Sequence, residues 1–127
     1  MLNNNPGPKN KILIVDDEAD FLKVFKLNLE ANGYDVVTAI DGEEALRKVK
    51  SENPDAIVLD IMLPKLNGEE VCRNIRNDPV FNKIPIIMLT AKVTDVDRVV
   101  GRVIGADIYI TKPSDFKQLN SAIKKVL

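Results

Sequence analysis

Apolar and polar positions along this chain follow two periods. Short continuous runs of β-branched and aliphatic residues occur at Lys11-Ile12-Leu13-Ile14-Val15, Tyr34-Asp35-Val36-Val37-Thr38-Ala39, Asp55-Ala56-Ile57-Val58-Leu59-Asp60, Ile84-Pro85-Ile86-Ile87-Met88-Leu89-Thr90 and 106–111. Runs of this kind read as strands of a parallel sheet buried on both faces. Between them apolar residues recur at helical spacing: Phe21, Leu22, Phe25 and Leu29 in a segment over 20–31, Ala45, Leu46 and Val49 after Asp41, and Val71 and Ile75 after Gly68. Val96, Val99, Val100 and Val103 mark another helix over 94–104, and Phe116, Leu119, Ile123 and Val126 a last one from about 114. Asp41 followed by Glu44 reads as a capping box, and Asn32-Gly33, Asn53-Pro54, Asp78-Pro79 and Gly105 punctuate the helix ends. Gly101, inside the helix over 94–104, costs it roughly 1 kcal/mol relative to alanine. Strands alternating with helices through short loops predict an α/β fold, a parallel sheet with helices on both faces.

Composition narrows the picture. At 127 residues, 45% hydrophobic and 29% charged, the chain suits one domain, expected over 11–127 behind a disordered polar tail over 1–10 that holds Pro6, Gly7 and Pro8. A net charge of -1 gives no electrostatic reason to expect direct nucleic-acid or membrane binding. Nothing resembles a signal peptide or membrane span, so a cytoplasmic location is expected. The single cysteine, Cys72, excludes an internal disulfide and reads as a helix-packing residue. There is no histidine, so any phosphoryl chemistry falls to carboxylates.

The polar residues that end the strands are the candidate chemistry. Asp16 and Asp17 follow the first strand and Asp60 ends the third, at the carboxyl edge where ligands bind in open α/β sheets. Carboxylates so grouped raise one another's pKa, and a hard cation such as Mg2+ relieves the repulsion. Taken singly, Asp16 or Asp17 is about as readily a helix N-cap as a ligand. Thr90 ends the fourth strand and Lys112 the fifth; alone, these read equally as a capping hydroxyl and a solvated charge. Together the groups make a coherent site for phosphoryl transfer, which needs a cation, donors for the phosphoryl oxygens and an in-line approach.

The pattern Asp60-x-x-x-Pro64-x-x-x-Gly68, with Asp16-Asp17, Thr90-Ala91 and Lys112-Pro113 in order, resembles the receiver domains of two-component response regulators over essentially 11–127. The resemblance implies a doubly wound, flavodoxin-like sheet of order 2-1-3-4-5, and Asp60 as phosphoacceptor for a phosphoryl group from a sensor histidine kinase or histidine phosphotransfer protein, in a two-component system or phosphorelay. It implies Mg2+ bound by Asp17 and Asp60 directly, by Asp16 through water and by the Met62 backbone carbonyl. Lys112, Thr90 and the Ala91 backbone amide would hold the acyl phosphate, with Thr90 and Tyr109 as switch residues and a cis Lys112–Pro113 bond. The readout to a downstream effector, or to a second copy, would use the face of the helix over 94–104, the fifth strand and the last helix. Ser114 and Ile108 depart from the family's usual residues near that face. On this reading the chain is a signalling phosphoacceptor and not an enzyme acting on external substrates.

Two alternatives compete. A Mg2+-dependent aspartate phosphatase of the haloacid-dehalogenase kind needs a second aspartate two residues after the first, where this chain has Met62. A flavodoxin-like cofactor module needs hydroxyls and glycines after the first strand, where Asp16-Asp17-Glu18-Ala19-Asp20 would repel a phosphate.

Overall fold

The third strand is buried at all its positions, from Ala56 to Asp60, and the other elements are arranged about it. The computed structural model describes residues 9–90, 105–112 and 116–127. In chain order these form β1 (Lys11–Val15), α1 (Ala19–Ala31), β2 (Asp35–Ala39), α2 (Gly42–Glu52), β3 (Ala56–Asp60), α3 (Gly68–Asn77), β4 (Ile86–Thr90), β5 (Ile108–Thr111) and α4 (Phe116–Val126). The strands lie in the order β2-β1-β3-β4-β5, every neighbouring pair parallel, with Leu13 opposite Ile57 and Ile57 opposite Ile86. This is the doubly wound order expected. The helix predicted over 94–104, with Gly101, lies outside the described residues, as do the start of the polar tail, Ala91, Ser114 and the Pro113 peptide bond.

Because successive strand residues point to opposite faces, the sheet feeds two cores. Ile12, Ile14, Val58, Ile87 and Leu89 pack with Phe25 and Leu29 of α1 and Leu119 and Ile123 of α4. Leu13, Val15, Ile57, Leu59 and Met88 pack with Ala45 and Val49 of α2 and Val71, Cys72 and Ile75 of α3. In the four described helices the stripes read from periodicity are the faces turned to these cores, and burial pushes the Cys72 thiol above its ordinary pKa. Phe25, fully buried, is a position where truncation to alanine costs about 3–5 kcal/mol.

Local chemistry sets the element ends. Asp41 caps α2 by accepting from the Glu44 amide at 2.8 Å, and this hydrogen bond holds its carboxyl below the usual range. The Glu44 carboxylate turns to Lys48 at 3.3 Å. Asn67 caps α3, accepting from the Glu70 amide at 3.0 Å. The fifth strand begins at Ile108, later than the run from 106 predicts, and the Asp107 side chain accepts from the Ile86 amide at 2.8 Å.

At the amino ends of β4 and β5, Arg76 ties α3 to the sheet. Its guanidinium donates to the carbonyls of Gly105 at 2.8 Å, Asn82 at 3.1 Å and Ile84 at 2.6 Å, and pairs with Asp107 at 2.9 Å. Gly105 is required here: its φ is +109°, and a Cβ would meet Arg76 Cγ at 2.9 Å.

Candidate functional site

Parallel strands put all their carboxyl ends on one edge, and Asp16, Asp17, Asp60, Thr90 and Lys112 all stand at that edge. Asp16 follows β1 and is fully buried. Its amide donates to the Ala39 carbonyl at 3.1 Å, and its Oδ1 accepts from the Glu18 amide at 2.9 Å, turning the chain into α1. Asp60, the last residue of β3, is 4% exposed and its Oδ1 accepts from the Met62 amide at 3.1 Å. Gly68 makes that turn possible, because a Cβ there would stand 2.4 Å from the Asp60 carbonyl oxygen.

Lys112, from the end of β5, reaches back across the sheet. Its Nζ lies 2.8 Å from Glu18 Oε1, 2.9 Å from Asp16 Oδ2 and 3.4 Å from Asp60 Oδ2. The contact with Asp16 Oδ2 is a close ion pair, and among the described residues this buried oxygen has no hydrogen bond of full geometry. Burial pushes the Asp60 carboxyl up; the Asp16 charge adds to this, while the Met62 amide and Lys112 oppose it. Burial works against the Lys112 ammonium, but its hydrogen bond to Glu18 and the nearby Asp16 and Asp60 charges outweigh it and hold its pKa above the ordinary lysine value.

The same groups suit a hard cation. Oxygens of Asp16, Asp17 and Glu18 lie within 4.8 Å of one another, and among the described residues Asp16 Oδ2 is charge-compensated by the Lys112 ammonium alone. An all-oxygen, multiply charged donor set matches Mg2+ and leaves room for its retained waters. Asp17, Glu18, Asp60, Met62 and Lys112 line an open cleft of about 420 Å³.

Of the sequence-predicted residues, Asp16 and Asp60 both pair with the Lys112 ammonium, with the exposed Asp17 on the cleft wall. Thr90 ends β4 opposite Thr111, and its neighbour Ala91 lies outside the described residues. Met62 is 75% exposed at the cleft rim. Tyr109 is half-buried against the core shared with α2 and α3. Two neighbours of Lys112 escape a reading by motif: Glu18, which stands next to the aspartate pair and whose type is its only signal, and Phe21, whose ring centroid is 4.2 Å from Nζ.

Residues 12–124 match the family model of the response regulator receiver domain. The alkaline phosphatase synthesis transcriptional regulatory protein PhoP of Bacillus subtilis is 51% identical over 117 residues, covering 92% of this chain and 48% of its own length. The probable transcriptional regulator ycf27 of Guillardia theta is 50% identical over 119 residues, covering 94% of this chain and 46% of its own. The chain thus spans about half the length of these curated relatives. A putative response regulator from Chloroflexus aurantiacus superposes with a TM-score of 0.88 at 34% identity, covering 94% of this chain and 98% of that one. The chemotaxis response regulator CheY4 of Vibrio cholerae superposes with a TM-score of 0.89 at 31% identity, covering 94% and 100%.

Proposed function

Because this chain belongs to the response regulator receiver domain family, we propose that Asp60 is its phosphoacceptor and that the carboxyl edge of the sheet is its phosphoryl-transfer site. The observation that carries the reading is Asp60 itself: a buried carboxylate at a strand end, paired with Lys112 and facing an open acidic cleft. A carboxylate oxygen of Asp60 forms the new P–O bond as the P–N bond to the donor's imidazole breaks. The donor is a sensor histidine kinase or a histidine phosphotransfer protein.

Asp16, Asp17, Asp60 and the Met62 carbonyl would hold Mg2+, which would supply positive charge to the phosphoryl oxygens. Lys112 shifts from its carboxylates to the acyl phosphate, and the Thr90 hydroxyl and Ala91 amide donate to the remaining oxygens. Thr90 then moves inward and Tyr109 follows, reshaping the face that a downstream effector or a second copy reads. The relatives' names as transcriptional regulators support an effector acting in transcription. A phosphatase acting on external substrates is disfavoured, since the residue two beyond Asp60 is Met62, whose thioether has no proton to give.

Intact mass after incubation with acetyl phosphate and Mg2+ tests the assignment. One phosphoryl group should appear on the wild type and vanish with EDTA or in Asp60→Asn; undiminished labelling in either case overturns it. With a beryllofluoride mimic, amide exchange should change between 93 and 112. Changes confined to 61–68 would remove the switch role of Tyr109.

A further inference from the structure

The Lys112 ammonium rests on an aromatic floor. Its Nζ stands 4.2 Å from the centroid of the Phe21 ring, within the range where a cation is drawn to the negative face of the ring. Its other surroundings are acidic, with Asp16, Glu18 and Asp60 oxygens at 2.9, 2.8 and 3.4 Å. The lysine side chain is only 18% exposed, so little water competes with the ring for the ammonium. The ring is itself positioned from the core. Phe25, fully buried, meets Phe21 edge-on at 4.0 Å and 77°, and Phe116 of α4 meets Phe25 at 5.1 Å and 81°.

An ammonium carries three N–H donors and no acceptor. A ring face attracts its charge without engaging those donors as a carbonyl or water would, so they remain available to oxygens on the acidic side. We propose that Phe21 is a positioning residue: its ring sets where the Lys112 ammonium stands over the cleft and keeps its donors directed at the oxygens carried by Asp60. This rests on the reading of Asp60 as phosphoacceptor. If Phe21 only filled space, leucine would serve almost as well.

The test compares the full chain as wild type, Phe21→Leu and Phe21→Tyr. Without Mg2+ or phosphodonor, NMR should show ring-current shifts of the Lys112 ε-protons in the wild type and Phe21→Tyr, and their loss in Phe21→Leu. With acetyl phosphate, Phe21→Leu should lower the maximal labelling rate about tenfold, as expected for losing most of a desolvated cation–π contact. Mg2+ affinity, followed by NMR titration, should stay within about twofold, since a ring that places only the ammonium supplies no ligand oxygen. Phe21→Tyr, which keeps the ring, should recover most of the rate. Unmoved Lys112 shifts in Phe21→Leu, wild-type labelling by that variant, or an equal loss in both variants would each overturn the role given to the ring. Failure of the wild type to label at all would instead sink the phosphoacceptor reading, and the NMR comparison would still decide where the ring holds the ammonium.

Discussion

Arg76 and Lys112 each carry a positive charge to a junction of several chain segments, at opposite ends of the same strands, and their surroundings differ in kind. Arg76 spends its planar fork on three backbone carbonyls and on Asp107, which also accepts from the Ile86 amide. Every charge there has a partner of suitable geometry, as in a satisfied structural network. Lys112 is shared among Asp16, Glu18 and Asp60; among the described residues Asp16 Oδ2 lacks a hydrogen bond of full geometry, and Asp60 is held where its charged form is disfavoured. A site with more negative charge than its lysine can satisfy is suited to admit a cation and release the lysine to a new anion. The first junction stabilises the fold, and the second keeps an unfilled demand at the cleft.

The largest test of that contrast is Arg76→Met. It should lower stability by about 2–3 kcal/mol in urea unfolding, because several hydrogen bonds to charge are lost together. Labelling of the folded fraction should be preserved; a labelling defect larger than the unfolded fraction would mean that the two junctions are coupled.

Gly68→Ala presses on the other end. Its methyl group would meet Asp60 backbone, so overpacking should cost about 2 kcal/mol, and the displaced Asp60 should label more slowly even below the melting range. Equal labelling rates would show that the turn yields without moving the carboxylate.

The smallest effect has the opposite sign. In EDTA, Asp60→Asn should raise stability at neutral pH by a few tenths to about 1 kcal/mol, because a buried charge is removed. Asp60 has a raised folded pKa, so its contribution to stability is full below the unfolded value of 3.8 and is lost as pH rises through the folded value. The advantage of the Asn variant should therefore shrink as pH falls toward and below 3.8. Measured by denaturant unfolding across that range, a constant or inverted difference would show that Lys112 satisfies Asp60 after all.

Much of this architecture is legible along the chain, because burial on both faces leaves a run of aliphatic residues and the polar residue that ends a run must sit at the sheet's edge. That logic places Asp16, Asp60 and Lys112 at strand ends, and the stripes of the described helices follow from the same periodicities, whereas β4 and β5 each begin two residues later than their apolar runs. What periodicity lacks is any record of which strand lies beside which, since each strand's pattern would serve equally well in another slot. The order 2-1-3-4-5 came from resemblance and is realised by tertiary pairing. Only that pairing brings Lys112 to Glu18, 94 residues away in sequence, and Arg76 to Asp107, 31 residues away. Phe21 shows the division within one side chain. Helical spacing alone assigns it to the buried stripe of α1, and its ring does pack there against Phe25, but the ammonium over its face arrives from β5. Local sequence determined which residues are apolar and which end a strand; the partners of those ends were decided by the closing of the sheet, because electrostatic neighbours are set by distance in space.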